Sequence, residues 1–154
     1  MATDSTDEYP FGYSREEIER LGYQHHVWVE ANQRLLARAA LAEGATVVDL
    51  GCGPGYTTLD LAQVVGPEGL VIAVDRDAER SLTRLRERAE AAGFSNIETR
   101  EVNLETFDLP PESVDAVYGR WILMYLPETA ARQLVDRLVG WLKPGGVCVL
   151  SEFC

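Results

Sequence analysis

Lysine is nearly absent from this chain: Lys143 stands alone among 154 residues, against thirteen arginines and 25 acidic residues. The formal net charge of −11 argues against a nucleic-acid partner, because such affinity rests on Lys and Arg neutralising phosphates. One stretch looks basic, with Arg80, Arg84 and Arg88 at i, i+4 and i+8 of a helix. Glu79, Glu87 and Glu90 interleave with them, so a solvated face is expected. Cysteine is sparse, and Cys52, Cys148 and Cys154 show neither metal-ligand spacing nor a disulfide framework. Reduced thiols, no metal site and a cytoplasmic location are therefore expected. No signal-peptide pattern opens the chain, since Met1–Tyr9 is polar and acidic, and no apolar run is long enough to span a bilayer. No repeat or low-complexity segment is visible. What is present is 46% apolar residues, enough for one domain with a sizeable core.

Punctuation divides the chain into alternating elements. Residues 1–12 are expected to be mobile. Ser14-Arg-Glu-Glu17 has the form of a capping box that opens a helix. Ile18, Leu21, His25, Trp28 or Val29, Leu35, Leu36 and Ala39 continue one apolar face, with a break expected near Gly22. Strands are predicted at 46–50, 70–75, 96–102, 114–119 and 146–153, with helices at 56–65, 78–92 and 128–142. Gly66-Pro-Glu-Gly69 and Lys143-Pro-Gly-Gly146 are turn signals. The alternation specifies an α/β fold, a doubly wound parallel sheet with right-handed crossovers.

The segment that carries chemistry is Val47-Val-Asp-Leu-Gly-Cys-Gly-Pro-Gly55. An apolar, mostly β-branched strand runs into a glycine loop at a helix start, the arrangement of a nucleotide-type cofactor site. The dinucleotide fingerprint is G-x-G-x-x-G, whereas here the pattern is G-x-G-x-G followed by bulky Tyr56. Asp49, two residues before the first glycine, would be unwelcome beside a pyrophosphate but favourable beside a cation. S-adenosylmethionine offers a sulfonium and an amino group and has no phosphate, so the chemistry leans toward it. Val71-Ile-Ala-Val74 reads as the second buried strand, and Asp75 at its end suits the ribose hydroxyls of an adenosine cofactor. Asp77 is the better cap for the helix that follows.

Asp49-Leu-Gly-Cys-Gly-Pro-Gly55, Val74-Asp75, Ser113-Val-Asp-Ala-Val117 and Leu142-Lys-Pro-Gly-Gly146 together resemble the successive motifs of class I S-adenosylmethionine-dependent methyltransferases. The likeness is greatest to the small-molecule branch of the ubiquinone- and menaquinone-biosynthesis type, and it covers residues 45–154. It implies a Rossmann-like sheet of order 3-2-1-4-5 and methyl transfer to a small-molecule acceptor by in-line displacement. By the same resemblance Gly51, Cys52, Gly53 and Gly55 line the methionine part of the cofactor, and Asp49 orients the loop and the amino group. Asp75 holds the ribose, Arg76 lies beside the adenine and Leu104 flanks it. Asn103 stands where the family has an aspartate toward the adenine amino group. Its neutral carbonyl can accept that bond, and weaker binding is expected. Arg120 and Trp121 face both cofactor and acceptor. Trp121, Met124 and Tyr125 are equally compatible with core packing. No catalytic base is nominated: His25 is read as a satisfied core histidine and His26 as exposed.

The resemblance also implies an N-terminal helical lid within residues 1–44, built on Tyr13, Tyr23, Gln24, His25, His26 and Trp28, ahead of a core at 45–154. The family fold has further C-terminal strands that are missing here, so an incomplete core is expected. The fifth strand would then be an edge able to pair with a second copy as a homodimer. Two other readings stand beside the enzyme: a non-catalytic S-adenosylmethionine-binding module, and an NAD(P)-dependent oxidoreductase, which Tyr56 and Asp49 disfavour.

Overall fold

The computed structural model describes residues 15–152. Its elements are α1 (Arg15–Ala39), β1 (Thr46–Leu50), α2 (Tyr56–Val65), β2 (Leu70–Asp75), a π-helical turn (Ala78–Leu82), α3 (Thr83–Ala92), β3 (Ile97–Glu101), β4 (Val114–Arg120), a 3-10 turn (Leu123–Tyr125), α4 (Glu128–Trp141) and β5 (Leu142–Ser151). The five strands form one sheet of order β3-β2-β1-β4-β5, and every neighbouring pair is parallel. The predicted fold class and strand order are both present.

The sheet is buried on two faces, as parallel sheets are. Val48, Leu50, Val74 and Val117 pack against Leu134, Leu138 and Trp141 of α4. On the other face Val47, Val71 and Tyr118 meet Leu61 and Val65 of α2 and Leu36 of α1. The strand order reverses between β1 and β4, and the carboxyl ends there flank a crevice, the place where doubly wound sheets take ligands. Asp49, Leu50 and Asp75 stand near those ends, with Leu50 paired to Gly119 and Asp75 to Glu101.

Several local expectations differ. α1 runs unbroken through Gly22, whose missing side chain serves a close approach: a Cβ there would lie 2.5 Å from the Tyr56 hydroxyl. The helix predicted at 78–92 opens with a π turn, where Asp77 accepts from the Arg80 amide at 2.7 Å. Thus Asp77 is the cap. β5 begins at Leu142, and Lys143-Pro-Gly-Gly146 bulges out between the pairs Val114–Leu142 and Ala116–Val147. The lysine anchors this bulge, Nζ donating to both carboxylate oxygens of Asp115 at 3.0 Å. Of the supposed solvated stripe, Arg84 pairs with Glu87 at the surface, but Arg88 turns inward. Its guanidinium lies 4.1 Å from the Tyr56 ring centroid and donates to that hydroxyl at 2.7 Å. The capping box at Ser14, Tyr13, the mobility expected of residues 1–12, and Cys154 lie outside the described residues.

Candidate functional site

At the carboxyl ends of β1, β2 and β4 lies a cavity of about 1030 Å³. Nine of the ten expected cofactor residues line it: Asp49, Gly51, Cys52, Gly53, Asp75, Arg76, Asn103, Leu104 and Arg120. Gly55 does not. It turns away, and a Cβ on it would lie 2.2 Å from Leu85 Cδ1, so this glycine admits the packing of α3 against the loop. Gly53 (φ 53) is the open glycine, with nothing within 4 Å of a Cβ built on it. A ligand can therefore approach the backbone there, in a left-handed conformation costly for other residues.

Two buried carboxylates frame this loop. Asp75 accepts the Gly53 amide at 2.9 Å through Oδ2 and the Asp77 amide at 2.9 Å through Oδ1. Burial raises its pKa, and those two amides oppose the rise. Each oxygen keeps a second acceptor position. Asp49 is fully buried, and Thr58 Oγ1 donates to it at 2.6 Å. Burial raises its pKa to about 7, against the Thr58 bond and the positive charge of Arg120. The Cys52 thiol, buried beside both acids, is pushed up by burial and by their charges. It is an inert wall atom, as expected of a reduced structural cysteine.

The β3 side of the cavity is made by Asn103 and Leu104. Asn103 is exposed, and its Oδ1 accepts the Glu105 amide at 2.9 Å, an Asx-type turn that shapes the loop. Leu104 is 7% exposed, and Arg137 donates to its carbonyl at 2.7 Å. Along the β4 side Trp121 adopts φ 54, and its amide donates to Ser151 O at 2.8 Å. The amides of Ile122 and Leu123 both donate to Glu152 Oε1 at 3.0 Å. Met124 and Tyr125 are 58% and 38% exposed and line the cavity, so they are wall residues and not core.

From α1, Arg20, Leu21 and Gln24 complete the enclosure. His25 points elsewhere: Nε2 lies 3.5 Å from Asp60 Oδ2, while Nδ1 is buried without a hydrogen-bond partner among the described residues. It is therefore only half satisfied, and burial lowers its pKa. Asp60 also accepts from Asn32 at 3.2 Å, and Asn32 Oδ1 accepts the Tyr118 hydroxyl at 2.6 Å. This buried chain fastens α1 to α2 and β4. Sequence reasoning missed Thr58 and Tyr118. Both looked like ordinary helix and strand residues, and only burial of a polar group beside them reveals their use. His26 and Tyr23 are exposed, the latter 79%.

The geometry is shared with known proteins. Residues 47–146 match the family described as methyltransferase domain. The chain is 36% identical over 121 residues to a trans-aconitate 2-methyltransferase of Azoarcus sp., covering 79% of this chain and 44% of that one. A crystal structure of a SAM-dependent methyltransferase from Aquifex aeolicus superposes with a TM-score of 0.73 at 25% identity, covering 86% of this chain and 69% of the other. Phosphoethanolamine N-methyltransferase 1 of Haemonchus contortus, solved with phosphoethanolamine and S-adenosylhomocysteine, gives 0.69 at 28% identity, covering 81% and 26%. The chain spans less than half the length of the curated relatives it matches. Through this match, which spans the glycine loop, the switch point and the strands that flank it, the chain belongs to the methyltransferase domain family.

Proposed function

We propose that this chain binds S-adenosylmethionine and takes part in methyl transfer to a small-molecule acceptor. The observation that carries the reading is the pair of buried carboxylates, Asp49 and Asp75, on either side of a backbone left open at Gly53. No helix among the described residues is long and apolar enough to cross a membrane, and no metal-binding cluster is found among them. When bound, the cofactor supplies a methyl group on a sulfonium that is already a good leaving group.

Asp75 accepts the ribose hydroxyls with the acceptor positions its amide bonds leave free. Asp49, deprived of water, gains most from a cation beside it, which suits the cofactor's ammonium group. Gly51, Cys52 and Gly53 pass the methionine part, and Gly55 supports them from behind by packing on α3. Arg76 and Leu104 bracket the adenine, with Asn103 at its edge. Arg120 stands at the methyl end, between cofactor and acceptor. Residues 1–44 act as a lid through α1, excluding water while 45–154 hold the cofactor. Alignment of the acceptor with the methyl carbon supplies much of the acceleration, and an acceptor proton, where there is one, is lost to solvent when the methylated product departs. The location is cytoplasmic and the acceptor is neither nucleic acid nor membrane. β5, at the sheet edge, pairs with a second copy, which size-exclusion chromatography reads as a dimer and a clean monomer contradicts.

Calorimetric titration with S-adenosylhomocysteine and, separately, NADH tests the cofactor. Binding of NADH alone overturns the proposal. A second reading, cofactor binding without transfer, has its support in Asn103, a neutral residue where an aspartate is expected. Methylation assays on small acceptors discriminate the two.

A further inference from the structure

Arg120 ends β4 with a donor that no group among the described residues uses. Its Nη1 is buried and has no hydrogen-bond partner among them, although native structures satisfy nearly all such groups. The acids whose charges it feels are occupied elsewhere: Asp49 with Thr58, and Asp60 with Asn32 and His25. The guanidinium rests 4.8 Å from the Trp121 ring centroid, and Trp121 meets Trp28 edge-on at 5.8 Å. Trp121 is held at φ 54, a region costly for a bulky side chain and frequent at ligand-binding positions.

Arg120 and Trp121 also form the wall between two cavities. On one side is the large site; on the other is a small cavity of about 70 Å³, completed by Trp28, Asn32, Ser151 and Glu152. One water needs about 10–15 Å³ of such space, so the small cavity has room for several waters or one oxyanion-sized group. Glu152 lends its Oε1 to the Ile122 and Leu123 amides, which offset its charge. A guanidinium fork matches carboxylate and phosphate oxygens better than any other side chain does.

We propose that the methyl acceptor carries an oxyanion, a carboxylate or a phosphate, and that Arg120 holds it at the small cavity behind Trp121. The acceptor then crosses the Trp121 rim with its nucleophilic end toward the large cavity. The inference rests on the methyltransferase reading and goes beyond it by naming the chemistry that selects the acceptor.

The test is calorimetry on the full chain saturated with S-adenosylhomocysteine, titrated with citrate, with inorganic phosphate and with uncharged glycerol. Citrate or phosphate is expected to bind and glycerol not, and the tighter of the two anions says which oxyanion is meant. Arg120→Met weakens that anion at least tenfold, and Arg120→Lys, which keeps charge without the fork, weakens it about threefold or more. In both variants the loss of anion affinity exceeds any loss of S-adenosylhomocysteine affinity. Unchanged anion affinity in both variants, or no anion binding by the unaltered protein, overturns the proposal. So does a tenfold loss of S-adenosylhomocysteine affinity, which would assign Arg120 to the cofactor's own carboxylate. Where the unaltered protein fails to bind S-adenosylhomocysteine, the cofactor reading fails by itself. The anion titrations on the unliganded protein and the two variants then still judge Arg120. If Arg120→Met does not fold, by circular dichroism, the Arg120→Lys arm decides.

Discussion

Asp49→Asn should stabilise this protein above neutral pH while impairing its site. Asp49 is fully buried, and its pKa rises from the ordinary 3.8 to about 7, chiefly through loss of hydration. A carboxyl that holds its proton longer folded than unfolded favours the fold fully below the unfolded value. That contribution is lost as pH climbs from about 4 to 7, and the loss is complete above 7. At about 1.4 kcal/mol per pH unit, the span from 3.8 to about 7 corresponds to about 4 kcal/mol. Asparagine carries no charge at any pH and keeps an oxygen for the Thr58 hydroxyl, whose bond to Asp49 is 2.6 Å. Its new buried amide protons cost about 1–3 kcal/mol if unpaired, at all pH values alike. Urea unfolding of the two proteins at pH 4 and pH 8 therefore isolates the charge. The variant should gain on the unaltered protein by up to about 4 kcal/mol between those pH values. A difference in stability that does not change with pH refutes the reasoning. Binding should move oppositely: S-adenosylhomocysteine affinity of the unaltered protein rises as pH passes 7, and Asp49→Asn loses both that rise and at least tenfold in affinity.

Asp75→Ala removes the acceptor of the Gly53 and Asp77 amides and should weaken S-adenosylhomocysteine at least tenfold by calorimetry; unchanged affinity rejects the ribose assignment. Gly22→Ala sets a Cβ 2.5 Å from the Tyr56 hydroxyl and should cost about 1–3 kcal/mol in urea unfolding. Tyr56→Phe in the same chain should recover part of it, whereas a gain from Gly22→Ala alone would show that Tyr56 yields freely. Tyr118→Phe leaves Asn32 Oδ1, buried at the centre of the polar chain, without its donor. It should cost about 1–3 kcal/mol and raise amide exchange in α1 before α4, and uniform exchange would deny that this chain fastens the helix.

The parts of the fold that were legible are those specified locally. A β-branched run bounded by turn residues is a buried strand wherever the chain goes next, so Thr46–Leu50 and Leu70–Asp75 appear with the expected limits. The alternation of such runs with helices leaves few topologies, and the observed order is among them. Likewise Gly53 announces a close backbone approach through its residue type alone. Gly51 and Gly55 look identical in the sequence, yet the space of their missing side chains is occupied by Ile122 and by Leu85 from α3. A glycine says that space is needed and not what fills it.

The same limit explains the docking of α1 and the charges. Arg88 belongs to a regular acid-base pattern, but the pattern cannot show that Tyr56 stands close enough to draw the guanidinium inward. Gly22 looks like a helix break because glycine lacks helix propensity; the hydroxyl of that same Tyr56 gives the reason it is tolerated. Tyr56 thus joins three readings that the sequence kept apart. It is the residue that departs from the dinucleotide fingerprint, the surface on which α1 closes, with its hydroxyl 3.3 Å from Ile18 O, and the partner of α3. The fingerprint's third glycine serves close packing of the helix, and Tyr56 in its place instead packs against α1 and α3. The departure from the fingerprint and the docking of α1 are therefore coupled at one position. A smaller residue there would loosen α1 as it opened the loop.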